Sequence, residues 1–380
     1  MEKCILYCDH WQNGGVESYL MNQLRHWDLS KMECSILTAE KTTDVYDGEL
    51  RKLGVQHIVL LSKIYASPIQ RILKTLLHCR RYFKQNPCDI AYFNLTNSVT
   101  MLYVGFAKWA GVPRRIVHSH NSDLEKGRTR IIKLIAHNLA KGLFSGFATE
   151  YWCCSDKAAK FLFPPQKVAL ARFIPNAIDT ETYMFRQEER ERIRRQLHCE
   201  DHLIVGNVGR CVPQKNQGFL LDVFAELLKF RSDARLLLVG DGPLLPKLKQ
   251  KAQRLGIQDA CIFYGFSDEV PALLSAMDVF CLPSCLEGNP VSAIEAQANG
   301  LPCFLADTIT RQARILPQSQ YLPITGKSIS NWVQWILTAK SVDRSLGHFS
   351  AKKVGYEIES CAELVQELLL GVSKNKGDKT

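Results

Sequence analysis

The chain has 380 residues, 46% hydrophobic and 23% charged, and its 48 Lys and Arg against 38 Asp and Glu give a formal net charge of +10. That length suits two domains with sizeable cores, and the composition excludes a disordered, collagen-like or disulfide-scaffold chain. No apolar run reaches membrane-span length and residues 1–9 are too polar and short for a secretion signal, so an intracellular protein is expected.

In the first half, the apolar runs 4–8, 34–38, 58–61, 90–94 and 115–118 read as strands, with short later strands at 152–155 and 173–175. Helical patterns fall between them at 16–27, 69–84 and 100–110. A charged stretch, 179–201, holding a helical pattern at 187–197, marks a domain junction. The second half repeats the alternation, with strands at 203–209, 235–240, 260–264, 279–283 and 302–306 and helices at 218–230, 244–255, 270–276 and 290–299. An amphipathic helix at 357–370 precedes a polar tail, 373–380, expected to be mobile. Strand–helix alternation in both halves predicts α/β domains with parallel sheets, and two in series leave a cleft at the carboxyl ends of their strands.

Fourteen cysteines lack zinc-ligand spacing, even in the local pairs Cys4/Cys8, Cys153/Cys154 and Cys281/Cys285, and read as reduced small hydrophobes. The basic excess suits nucleic acid, an anionic membrane or acidic substrates. Its denser groups are Arg80-Arg81, residues 126–133 and residues 190–195; the last is interleaved with acids and reads as a solvated helix face. Residues 126–133 read as an exposed loop and helix start, or as a contact for lipid headgroups or a diphosphate-linked acceptor.

The densest chemistry lies at 284–302. Asn289 is placed to cap a helix, Pro290 to begin it and Gly300 to stop it. The free amides of that helix start form an anion site, flanked by the carboxylates Glu287 and Glu295. After the strand at 203–209, Arg210 and Lys215 offer a guanidinium fork and a point charge for a diphosphate. After the first strand, Gly14 and Gly15 open a helix and allow close approach of backbone to a phosphate. His118 and His120 end another strand as polar or proton-handling groups, with no third ligand for zinc. No Asp-x-Asp triplet is present, so a metal-independent diphosphate site is expected. A phosphate site beside hydroxyl-binding carboxylates suits a nucleotide sugar.

These residues resemble the retaining, family 4 type of glycosyltransferase with the GT-B fold. Glu287 and Glu295 match its E-x7-E motif, and Gly14-Gly15, residues 174–179, the Arg210/Lys215 loop and residues 239–243 fall in family order. Residues 115–121 and 287–310 look like the subgroup that builds capsular and exopolysaccharide repeat units. The resemblance implies an N-terminal Rossmann-like domain at 1–180, a donor-binding one at 181–345, a helix at 346–372 crossing back to the first, and the tail. It implies transfer of a hexose-type sugar from a nucleotide diphosphate sugar, a UDP-sugar, to a lipid-linked or growing glycan, at the inner membrane face. Arg210 and Lys215 would hold the diphosphate, Glu295 the ribose, and Glu287 the transferred sugar. The amides of Gly288, Asn289 and Val291 would touch sugar or phosphate. Gly265 and Phe266 would border the base, Gly15 would approach the diphosphate, and His120, with His118 as rival, would face the donor sugar. Glu17 would face the acceptor.

The family often has Gly-Phe after the first Glu where this chain has Gly288-Asn289-Pro290, a departure that bears on sugar preference. The alternatives are a non-catalytic GT-B subunit partnering another glycosyltransferase and a sugar-nucleotide epimerase; no nucleic-acid partner is expected.

Overall fold

The computed structural model describes residues 1–12, 14–61, 68–124, 129–339 and 343–371. Two compact units emerge: Met1–Ala177 with the segment from Ile358, and Ile178–Glu357. The expected tail and residues 126–128 of the basic group lie outside the described residues.

The first unit runs β1 (Glu2–Trp11), α1 (Gly15–His26), β2 (Met32–Lys41), α2 (Asp47–Lys52), β3 (Gln56–Val59), α3 (Pro68–Gln85), β4 (Ile90–Leu95), α4 (Met101–Trp109), β5 (Arg114–Ser119), α5 (Arg130–Phe144), β6 (Glu150–Cys153), α6 (Asp156–Leu162), α7 (Pro165–Val168) and β7 (Arg172–Phe173). Its sheet is parallel, in the order β3-β2-β1-β4-β5-β6-β7. Both faces are covered, so β1 is a continuous apolar run rather than an alternating one. Cys4, Leu6 and Cys8 pack in one core with α1, while Ile5 and Tyr7 pack in another with α3 and α4.

The second unit runs α8 (Gln187–Gln196), β8 (Ile204–Val208), α9 (Gln217–Leu227), β9 (Arg235–Val239), α10 (Leu245–Arg254), β10 (Cys261–Gly265), α11 (Val270–Ala276), β11 (Val279–Leu282), α12 (Val291–Ala298), β12 (Cys303–Ala306), β13 (Gln320–Leu322), α13 (Ile329–Leu337) and α14 (Gly347–Lys353). Its parallel sheet has the order β10-β9-β8-β11-β12-β13. Helix α15 (Ile358–Leu369) returns to the first unit, against α1. There the Trp27 indole donates to the Ala362 carbonyl (3.1 Å), and Gln366 exchanges two hydrogen bonds with the Asp28 backbone. The segment expected to cross from residue 346 is thus divided: α14 belongs to the second unit and α15 to the first.

Residues 190–195 form a solvated face only in part: Glu191, Arg192 and Arg195 are exposed, as expected, but the other side of the helix is not. Arg190 and Arg194 turn inward onto Asp278 (2.6 and 2.5 Å), which also accepts the Ile204 amide. Arg344 caps the carbonyls of Leu274 and Met277 nearby. Ile193, fully buried between the two arginines, draws that side of α8 into the core. All fourteen cysteines are free thiols, twelve of them buried, as small core hydrophobes should be.

Candidate active site

In an open parallel sheet, ligands bind where the strand order reverses, because the loops leaving adjacent strands diverge there. In the second unit that point lies between β8 and β11. The loop after β8 carries Arg210 and Lys215, and the loop after β11 carries Glu287. The two loops are tied together. Gln214 donates to the Leu286 carbonyl (2.8 Å), the Cys285 amide donates to the Gln214 carbonyl (2.8 Å), and Asn216 donates to the Pro283 carbonyl (3.2 Å). Asn216 takes a left-handed conformation (φ 54°) to start α9.

Across this seam the Lys215 ammonium meets the Glu287 carboxylate at 2.7 Å, with side chains only 17% and 9% exposed. The pair is internally compensated. Arg210 is exposed and has no acidic partner among the described residues, so it is the uncompensated cation of the loop. Behind the loop, Gly240 (φ 130°) donates to the Gly265 carbonyl (2.7 Å), and a Cβ at Gly240 would overlap the Gly209 carbonyl oxygen. Only glycine permits that approach. Beyond Gly265, Phe266 presents a ring that is 62% exposed, an aromatic surface at the sheet edge.

Helix α12 begins differently from the expectation. Pro290, not Asn289, is the N-cap, and it has no side chain able to accept from the first turn. The Asn289 amide group donates instead to the Tyr356 hydroxyl (3.0 Å), which in turn donates to the Gln312 carbonyl (2.9 Å). The helix start therefore keeps open donors: the Val291 and Ser292 amides have no backbone acceptor among the described residues, and the buried Ser292 hydroxyl has no partner. The other end stops as expected. Gly300 is left-handed (φ 78°), and the amides of Gly300 and Leu301 bond back to the carbonyls of Gln297 and Ala296 (2.9 and 3.0 Å), a Schellman closure.

Glu295, one turn into α12, is the most perturbed carboxylate of this edge. Burial pushes its carboxyl up to about 7, against the opposing pull of the Tyr183 hydroxyl and Lys215. Glu287, Glu295 and Lys215 are thus brought together electrostatically, with Arg210, Gly288 and Val291 on the same pair of loops.

In the first unit the order reverses between β1 and β4. Gly14 caps α1 in extended geometry, and the space over the Gly15 Cα is open. Glu17 is 3% exposed and accepts the Gln12 amide (3.1 Å). It thus reaches back to the turn that precedes α1. His118 lies near the end of β5 and His120 just beyond it, with ring centroids 4.1 Å apart. Tyr19 of α1 packs against both, at 5.2 Å each. Their environments differ. His118 is fully buried, with Nδ1 2.6 Å from the Tyr92 hydroxyl. His120 is 7% exposed, and its Nε2 lies 2.9 Å from Asn94 Oδ1. An amide oxygen only accepts, so Nε2 carries the hydrogen and Nδ1 is left as an acceptor. Burial pushes His120 down to about 3 and His118 well below its usual range. Both rings are neutral near pH 7. His118 is thus the more enclosed of the two, and His120 lies nearer the open end.

The sequence reading missed Tyr19, Asn94, Tyr183 and Tyr356, which hold the histidines, Glu295 and Asn289 in place. Each comes from an element distant in sequence from its partner, and no local motif marks it. Among the described residues, no group of three or more His, Cys, Asp and Glu converges as a metal site would.

Residues 189–322 match the family model described as glycosyl transferases group 1. A Bacillus subtilis (strain 168) protein named as a glycosyltransferase, EpsF, is 30% identical over 361 residues, covering 91% of this chain and 90% of its own. The UDP-Gal:alpha-D-GlcNAc-diphosphoundecaprenol alpha-1,3-galactosyltransferase of Escherichia coli is 28% identical over 62% of each chain. Among solved structures, Anabaena HepE in complex with UDP-glucose matches with a TM-score of 0.78 at 17% identity, over 98% of this chain and 100% of the other. WaaG, a glycosyltransferase involved in lipopolysaccharide biosynthesis, matches with a TM-score of 0.75 at 16% identity, over 97% and 100%. The near-full-length likeness to EpsF, with this fold, establishes that the chain belongs to the glycosyl transferases group 1 family and is a glycosyltransferase of GT-B fold.

Proposed function

We propose that the protein transfers a hexose-type sugar from a UDP-sugar, with retention of configuration, to a lipid-linked or growing glycan in exopolysaccharide synthesis, at the inner face of the membrane. The observation that carries this is the charge set at the switch point of the second sheet: Arg210 without an acidic partner, the Lys215–Glu287 pair, and Glu295 at the start of α12. The named relatives support the donor and acceptor classes, since one is a UDP-Gal-dependent transferase acting on a diphosphoundecaprenol-linked sugar and another an alpha-monoglucosyldiacylglycerol synthase of Streptococcus pneumoniae.

In this reading Arg210 and Lys215 neutralise the diphosphate as it departs, the moment when negative charge builds most. Lys215 shares its charge between the phosphate and Glu287, which in turn orients a sugar hydroxyl. Glu295 accepts from the ribose hydroxyls. The amides of Gly288, Asn289 and Val291 bind sugar or phosphate, and Phe266 with Gly265 borders the base. In the first unit, Gly14 and Gly15 serve the diphosphate, and neutral His120 accepts a hydroxyl at Nδ1. The departing diphosphate oxygen takes the acceptor's proton on the same face, so no side chain is asked to be a base. No metal is required for this charge balance.

Thermal-shift and hydrolysis screening against UDP-, GDP- and ADP-sugars, with Glu295→Ala alongside, tests the proposal. A shift with one UDP-sugar that the variant loses is expected. No shift with any nucleotide sugar would move the reading to a non-catalytic subunit, and activity lost to a chelator and restored by magnesium would remove the metal-free account.

A further inference from the structure

We propose that the face of the first unit formed by α3, α4 and α5 docks on an anionic lipid bilayer. Helix α5 is inverted relative to an ordinary surface helix. Ile131, Ile135, Leu139 and Leu143 recur at four-residue steps and, with Ile132, are 56–74% exposed, whereas His137 and Ala140 face inward. Helix α4 packs between α3 and α5. The apolar exposure continues onto these neighbours at Ile72, Leu73 and Leu77 of α3 and Trp109 of α4. Five exposed Ile and Leu on one helix, with more exposed apolar side chains on the two helices beside it, exceed the scattered exposure of an ordinary surface.

The charge on these helices chooses the occupant. Helix α3 carries Arg71, Lys74, Arg80, Arg81 and Lys84, α4 carries Lys108, and α5 carries Arg130, Lys133 and Lys141. None of the three contains an Asp or Glu. Only Arg71 and Arg130 have an acidic partner among the described residues, Glu40 and Asp123. Much of the chain's +10 is therefore gathered around one apolar surface. Apolar side chains rimmed by cations match the boundary between acyl chains and anionic headgroups. They disfavour a second copy of this chain, which would set two such cationic rims against each other. The topology adds a direction. In a parallel sheet each helix starts at the carboxyl edge of the strand before it, so Ile72, Leu73, Ile131 and Ile132 lie toward the edge that carries His120. A docked bilayer then presents lipid headgroups near the edge where an acceptor is received.

The proposal rests on the membrane-surface part of the function above and is independent of the donor. Its test is flotation of the full chain with vesicles of phosphatidylcholine alone or containing phosphatidylglycerol, at low and high salt, with donor thermal shift measured in parallel. Binding to the anionic vesicles, weakened by salt and absent on phosphatidylcholine, is expected. Each basic residue at such a surface is worth about fivefold in partitioning, so Arg80→Glu with Arg81→Glu should lower it at least about tenfold. Ile131→Asp with Ile132→Asp should lower it similarly while leaving the donor shift intact, because both side chains are exposed. A donor shift without vesicle binding overturns the docking face alone. Binding unchanged in both variants overturns it too, as does a parent dimer that Ile131→Asp converts to monomer. Vesicle binding without any donor shift upholds the face and removes the donor reading instead.

Discussion

The carboxyl edges of the two sheets hold ionisable groups in comparable places and treat them in opposite ways. In the first unit, Tyr19 packs on two histidines, Tyr92 and Trp152 enclose the inner one, and burial favours the neutral form of both. In the second, an arginine stays exposed, a lysine and a glutamate pair at 2.7 Å, and a second carboxyl is poised near neutrality. Desolvation decides the first edge; at the second, charge compensation holds the Lys215–Glu287 pair and desolvation acts on Glu295 alone. An edge that remains charged suits a diphosphate. A neutral edge suits hydroxyls, whose hydrogen bonds gain from low dielectric without the cost of burying an ion.

The comparison breaks most readily at Lys215. Lys215→Ala removes the cation proposed to serve the leaving group and also strands Glu287, whose carboxylate is almost enclosed. Both losses fall on one step, so kcat/KM for sugar transfer should drop by about 10³. If the loss is confined to KM, the lysine acts only in ground-state binding. Arg210→Ala should cost less, about 10- to 100-fold, since an exposed guanidinium is partly screened. Its melting temperature should stay at the parent value, because no acid depends on it among the described residues.

Glu295 sharpens the comparison through pH. If Glu295 binds the ribose hydroxyls as proposed, it does so as the carboxylate, so donor affinity should fall as pH drops below about 7, by up to about tenfold per unit. Titration calorimetry at several pH values checks this, and Glu295→Gln should bind weakly with a flat profile. Stability runs the other way. A carboxyl held above its unfolded value contributes fully at acid pH and loses that contribution as pH rises through about 7. Glu295→Gln should therefore be more stable than the parent in mildly alkaline buffer, by about 1–2 kcal/mol, with the gap closing toward acid pH. A variant less stable at every pH would mean that Glu295 is held by its partners and not stored against burial.

Much of this was legible in the sequence because it is local. The strands are runs of apolar residues, the stop at Gly300 is a single residue with φ 78°, and Arg210, Lys215 and Glu287 lie on loops that directly follow predicted strands. What the sequence hid is non-local or runs against habit. Asn289 has the side chain of a helix cap, but Tyr356, 67 residues away, takes its amide. Arg190 and Arg194 sit among glutamates and still turn inward to Asp278. Helix α5 escaped because its apolar period marks the exposed face, where a reading of periodicity looks for the core. The histidine pair could not be separated from sequence, since two residues this close at a strand's end differ only in how far each lies from the open end.

That separation is the finest test. If His120 acts as a neutral ring whose Nδ1 accepts one hydroxyl, its replacement by another neutral polar side chain loses about one hydrogen bond. His120→Gln should then reduce transfer by about fivefold, the equivalent of ~1 kcal/mol. A general base would cost far more, about 10²- to 10⁴-fold, and would leave an acid limb in the pH profile of kcat/KM that the variant abolishes. With the ring pushed to about 3 by burial, no such limb is expected between about pH 5 and 8 from this residue. Any limb seen there should survive in His120→Gln and vanish in Glu295→Gln. If it vanishes in His120→Gln instead, the first edge carries charge at working pH, and the division of labour between the two sheets is wrong.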